Sequence, residues 1–89
     1  MHTVSDKSIR FVFDLDSDQA RERWELLTAR ERQVAEKIAL DHSNREIAEA
    51  LGISPKTLDI HRANVKKKLD AKTAAGVART FFAVRVAGR

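Results

Sequence analysis

The most restrictive stretch of the chain is Leu51-Gly52-Ile53-Ser54-Pro55-Lys56. Glycine accepts the left-handed conformation that closes a helix, so Gly52 stops whatever runs into it. Serine caps a helix start, and proline at the first helical position loses no hydrogen bond, so Ser54 and Pro55 open whatever follows. One helix must end and another begin with only Gly52, Ile53 and Ser54 between them.

Both flanking stretches read as short amphipathic helices. Ser43 and Glu46 form an S-x-x-E capping box ahead of Gly52, and Ile47, Ala48 and Leu51 make its inward stripe. Upstream, Thr28 and Glu31 form a second box, followed by Val34, Ala35, Ile38 and Ala39 at helical spacing; Asp41-His42-Ser43 breaks that run. Thr73 is placed to cap a last helix from Ala74 to about Ala87. The chain is therefore expected to be all-α, with four capped helices between Leu27 and the C-terminus. Its second and third helices form a helix-turn-helix. Residues 27–89 make this domain and residues 1–26 an N-terminal extension.

The helix opening at Ser54 has two distinct faces. Leu58, His61, Val65 and Leu69 repeat at core spacing. The opposite face carries Lys56, Asp59, Ile60, Ala63 and Lys67, flanked by Arg62 and Lys66. A catalytic site needs acid and base groups converging in a cleft, whereas this face is convex and its central residues are short or apolar. A small, partly apolar strip between cationic edges suits the major groove of double-stranded DNA. Ile60 and Ala63 can touch thymine methyls, Asp59 can accept from a cytosine amino group, and Lys56, Arg62, Lys66 and Lys67 can reach phosphates. His61 belongs to the packing stripe, so no catalytic residue is expected.

Charge distribution agrees. The formal net charge is +4 over 89 residues, but residues 54–72 alone hold Lys56, Arg62, Lys66, Lys67, Lys68 and Lys72 against Asp59 and Asp70. The first 26 residues are acidic on balance. A cationic field concentrated on one stretch is what a polyanion partner requires. With 43% hydrophobic residues a small core is affordable. No apolar run is long enough to span a membrane and no signal-peptide pattern opens the chain, so the expected location is the cytoplasm. The absence of cysteine excludes disulfides and thiolate chemistry.

The N-terminal extension is harder to read. Ile9, Phe11, Phe13 and Leu15 alternate with Ser8, Arg10, Val12 and Asp14 as in a short strand, and residues 18–26 read as a linker helix anchored by Trp24, with Leu27 following. Asp14, Asp16, Asp18 and Glu25 occupy positions 1, 3, 5 and 12 of a calcium loop. Gln19 stands where that loop turns on glycine, and Arg21 where it needs an apolar residue. The acidic residues are better placed to favour the positive end of the linker helix. His2, His42 and His61 are scattered, so no metal or other cofactor is expected.

In the last helix, Val77, Phe81 and Val84 form one apolar stripe for the core. Ala78, Phe82 and Val86 form a second, which faces water unless a partner or the N-terminal segment covers it.

The runs LTARERQV (27–34), NREIAEALGISPKTLDIH (44–61) and RANVKKKL (62–69) resemble the LuxR/FixJ/GerE-type output domain of bacterial transcription regulators, and "ISPKT" and "HRANV" are most similar to its FixJ-like branch. The resemblance covers about two-thirds of the chain, from Leu27 to Phe82. It implies a four-helix DNA-binding domain whose third helix enters the major groove and whose fourth forms a homodimer contact, here through Ala78, Phe82 and Val86. The family's base-facing positions fall on Asp59, Ile60 and Ala63. Its phosphate positions fall on Asn44, Arg45, Lys56, Thr57 and the lysines that end the third helix. Glu46 is expected to complete a cap or orient a neighbour.

Three departures stand out. Lys66 replaces a commonly apolar residue, Asp70-Ala71 replaces a glycine and an apolar residue, and Asp41-His42 stands where glycine often ends the first helix. The 26 residues before Leu27 are too few for the family's receiver domain. RNA polymerase is a further expected partner. Two other readings stay open on the sequence alone: a promoter-binding module like the fourth region of a sigma factor, and a protein-interaction module that has lost DNA binding.

Overall fold

The computed structural model describes residues 17–87, and every regular element among them is a helix. They are α1 (Ser17–Glu25), α2 (Ala29–Ala39), α3 (Asn44–Leu51), α4 (Pro55–Leu69) and α5 (Ala74–Ala87). The strand expected over residues 9–15 lies outside the described residues, as do Asp14 and Asp16. Asp18 sits in the first turn of α1, where a carboxylate favours the helix dipole.

The predicted caps are formed. Thr28 accepts from the Glu31 N–H at 3.1 Å, and the Thr28 N–H donates to the Glu31 carboxylate at 2.9 Å. Ser43 and Glu46 repeat the arrangement at 3.1 and 2.8 Å. Ser54 accepts from the Thr57 N–H at 3.1 Å with Pro55 in the first turn, and Thr73 accepts from the Gly76 N–H at 3.1 Å. Each cap satisfies backbone donors that a helix start leaves without an intrahelical partner.

Three helices end in the same way, foreseen from the sequence at Gly52 but not at the two aspartates. Gly52, Asp41 and Asp70 all take left-handed backbone, with φ of 66°, 66° and 53°. In each case the next residue's N–H reaches back five positions: Ile53 to Ala48, His42 to Lys37 and Ala71 to Lys66, at 3.0, 3.0 and 2.9 Å. These are Schellman closures. The aspartates at 41 and 70 therefore hold the backbone that glycine would hold.

The core gathers Val34, Ala35 and Ile38 of α2, Ile47 and Ala48 of α3, Leu58, Val65 and Leu69 of α4, and Val77 of α5, with Leu27 between α1 and α2. Trp24, Leu51, Ile53 and Ala71 close its rim. Helix α5 packs against α2 and α1, α2 also packs against α4, and α3 rests on α4. Each fully buried Val, Leu or Ile contributes about 1.5–3 kcal/mol relative to exposure.

Some expected inward residues lie further out. His61, Ala39, Leu51 and Val84 are half-buried. Thr80, absent from the expected stripe, is buried at 2% exposure and donates its hydroxyl to the Gly76 carbonyl at 3.3 Å. Threonine can be buried there because a helix carbonyl one turn back satisfies it.

The 26/27 boundary drawn from the sequence falls beside a core that α1 helps to close. Ala20 is fully buried, and the Trp24 ring meets Phe81 of α5 at 5.6 Å between centroids. Arg32 of α2 donates to the Trp24 carbonyl at 3.4 Å, and Arg23 lies 3.9 Å from the Asp70 carboxylate at the end of α4.

Candidate nucleic-acid interface

The left-handed Gly52 ends α3, Ile53 drops toward the core, and Ser54 starts α4 in a new direction. Leu58, Val65 and Leu69 then fix which side of α4 is inward, since all three are at most 1% exposed. The outward side follows from helical geometry. Asp59, Ile60 and Ala63 are all exposed, and Ile60 keeps 56% of its surface open to solvent. An exposed isoleucine with an acidic and a small neighbour, on a convex helix face, is a surface shaped for contact.

The cationic edges are placed around that strip. Lys56 and Lys67 are exposed, and Arg62 and Lys66 are half-buried. Asn44 and Arg45, at the start of α3, are exposed. An open cleft of about 700 Å³ between α3 and α4 is bordered by Asn44, Arg45, Glu49, Pro55 and Asp59. It brings the α3 phosphate candidates beside the first base-facing candidate. Thr57 is half-buried, and its hydroxyl accepts from Ser54 at 3.0 Å, which aims its own proton elsewhere. The N-terminal ends of α3 and α4 add the positive ends of two helix dipoles.

Several details were not expected. Arg45 donates to Glu49 at 3.3 Å, an i,i+4 pair between two exposed side chains. The spacing is visible in the sequence, though such a pair contributes little in water. Glu46, by contrast, completes the α3 cap as its S-x-x-E spacing predicts. The Ser43 N–H, then the Ser43 hydroxyl, hold its carboxyl below the ordinary value. Lys68 differs from the other lysines ending α4: its ammonium donates to the Glu31 carboxylate at 2.7 Å, and Glu31 is 4% exposed. Lys68 is thus withdrawn from the free cationic edge. Nothing local marks this pair, because its members are 37 positions apart.

On α5, Ala78 is half-buried, while Phe82 and Val86 are 46% and 66% exposed. Of the N-terminal segment that could cover them, Trp24 is engaged with Phe81, and Phe11 and Phe13 lie outside the described residues. Among the described residues no group of three or more His, Cys, Asp or Glu could hold a metal ion, and no helix is long and apolar enough to cross a membrane.

Residues 25–81 match the family described as bacterial regulatory proteins, luxR family. The chain is 43% identical over 82 residues to the transcriptional regulatory protein UhpA of Escherichia coli K12, covering 92% of this chain and 42% of that protein. It is 46% identical over 69 residues to the transcriptional regulatory protein MctR of Rhizobium johnstonii, covering 76% and 32%. With the transcriptional regulatory protein FixJ of Rhizobium meliloti it shares 40% identity over 68 residues, covering 76% and 33%. The chain spans less than half the length of each of these relatives. No solved structure matches it. The matched region contains both capping boxes, the Gly52 turn and all of α4, and on these grounds the chain belongs to the luxR family of bacterial regulatory proteins, its helix-turn-helix serving as the DNA-binding domain of a transcription regulator.

Proposed function

We propose that α4 lies in the major groove with Asp59, Ile60 and Ala63 against base edges, while Asn44, Arg45, Lys56, Thr57, Arg62, Lys66 and Lys67 contact phosphates. The observation that carries this reading is the exposed strip through Ile60, bordered by cations and backed by the fully packed Leu58 and Val65. Phosphate contacts supply affinity and register, and base contacts supply sequence preference. The chain performs no reaction; its work is to occupy a site in the bacterial cytoplasm and to present itself there, with RNA polymerase as the second macromolecular partner.

The second part of the reading is a homodimer through Ala78, Phe82 and Val86. It is supported by the exposure of Phe82 and Val86 on a helix whose other side is already buried. A two-fold pair reads two half-sites about one helical turn, roughly 34 Å, apart.

The test is binding-site selection from random-sequence DNA, combined with salt titration. Lys67→Ala and Arg45→Ala are expected to weaken binding to every sequence and to flatten the salt dependence by about 0.9 in slope per lost phosphate contact. Ile60→Ala and Asp59→Asn are expected to change the recovered base at one position and leave that slope in place. If both classes of variant lose affinity uniformly and recover the parent's sequence, the assignment of faces is wrong.

A further inference from the structure

The Lys68 ammonium and the Glu31 carboxylate meet at 2.7 Å, and the same Glu31 oxygen accepts the Thr28 N–H at 2.9 Å. Glu31 is 4% exposed, and two-thirds of the Lys68 side chain is covered. A carboxylate this enclosed is held in one place by its own helix cap. Lys68 is therefore tied to a fixed point at the start of α2, not to a mobile surface group. It stands at the C-terminal end of α4, one residue before the core residue Leu69. The other end of α4 is fixed by the turn at Gly52, Ile53 and Ser54. The buried Leu58, Val65 and Leu69 choose the inward side of α4, and these two attachments pin its ends in that orientation.

We propose that Glu31 and Lys68 form a positioning pair for DNA reading: they hold α4 in the roll that aims Asp59, Ile60 and Ala63 at base edges, and Lys68 itself contributes no phosphate contact. The proposal rests on the reading that α4 enters the major groove. Base-edge hydrogen bonds tolerate errors of about half an ångström, whereas long lysine and arginine side chains follow a phosphate through larger shifts. Loss of the pair therefore degrades sequence-specific binding and spares non-specific binding.

The experiment measures affinity of the 89-residue chain for two duplexes, one recovered by selection with the parent chain and one of random sequence and equal length. It uses Lys68→Met, Lys68→Arg, Glu31→Gln and the Glu31→Gln/Lys68→Met double variant. Measurements are made well below each variant's unfolding midpoint. Glu31→Gln keeps an acceptor for the Thr28 N–H, so it removes the charge pair without removing the cap.

Lys68→Met and Glu31→Gln are each expected to weaken binding to the selected duplex about tenfold, with the random duplex changed less than about twofold and the salt slope intact. The double variant should be no worse than either single one, since both remove one interaction, and Lys68→Arg should recover most of the loss. A uniform loss on both duplexes with a slope lower by about 0.9 would make Lys68 an ordinary phosphate contact. A lowered unfolding midpoint with unchanged affinity for both duplexes would make the pair purely structural. Either result overturns the proposal. Equal affinity of the parent chain for selected and random duplexes would instead sink the major-groove reading on which it rests.

Discussion

Among the described residues Gly52, Asp41 and Asp70 hold left-handed backbone, each just past the end of a helix. At Gly52 the glycine itself is the signal, and a Cβ there would meet nothing within 4 Å. Gly52→Ala therefore tests backbone strain alone. It is expected to lower stability by about 1–2 kcal/mol in urea unfolding, with the helical signal of the folded state unchanged. Asp41 and Asp70 adopt the same backbone without advertising it. Aspartate tolerates the left-handed region better than most residues, but less well than glycine. Asp41→Gly should accordingly raise stability by about 0.5 kcal/mol, while Asp70 is a poorer test because it also faces Arg23.

Glu31 is the other residue whose role exceeds its motif. Its place in the α2 cap follows from the T-x-x-E spacing, but its partner Lys68 comes from the far end of α4. Burial pushes its carboxyl upward, yet the Lys68 hydrogen bond, the Thr28 backbone bond and the Lys68 charge together hold it below the ordinary 4.5. A carboxyl lowered in the folded state stabilises the protein above its unfolded value and loses that contribution as pH falls through the folded one. Glu31→Gln should be less stable than the parent by about 1–2 kcal/mol at neutral pH. The gap should close as pH is stepped down below 4.5. A gap of constant size across that range would mean that the charge on Glu31 adds nothing.

Helix boundaries were legible because caps are local chemistry: one hydroxyl, one carboxylate and two backbone N–H groups, all within four residues. Faces were legible for α4, where apolar residues recur at helical spacing and the rest are polar or small. They were less legible for α5, which is apolar on more than one side. There Thr80 takes a buried position, and Val84 is only half-buried. The neighbouring rings Phe81 and Phe82 meet edge-on at 5.1 Å but have opposite surroundings: Phe81 is 4% exposed and packs on Trp24, and Arg85 lies over its ring at 5.2 Å. Phe81→Ala is expected to cost about 3–5 kcal/mol and to shift Trp24 fluorescence. Phe82→Ala should cost under about 1 kcal/mol in the monomer and, if the proposed homodimer forms through this stripe, weaken self-association in sedimentation. If Phe82→Ala left self-association unchanged, the second stripe of α5 would not be the contact between copies.

At the scale of the whole molecule, charge and shape point the same way. Lys56 and Lys67 are exposed on α4 and Arg62 and Lys66 half-buried beside them, with Lys68 set apart by its bond to Glu31, and residues of α3 and the start of α4 border one cleft. The sequence located this surface because periodicity separates inward from outward residues. It could not locate Lys68's role, or the packing of α1 through Trp24 and Arg23, because those depend on how distant segments meet. On the proposed function, α4 reads DNA through Asp59, Ile60 and Ala63. The most direct measurement is an NMR titration of the methyl-labelled chain with a selected duplex, recording contacts between protein methyls and DNA protons. Contacts are expected from the Ile60 and Ala63 methyls to thymine methyls or other major-groove base protons, with none from Val65 and Leu69. Contacts confined to α5 or α1, with Ile60 and Ala63 unperturbed at saturation, would contradict it.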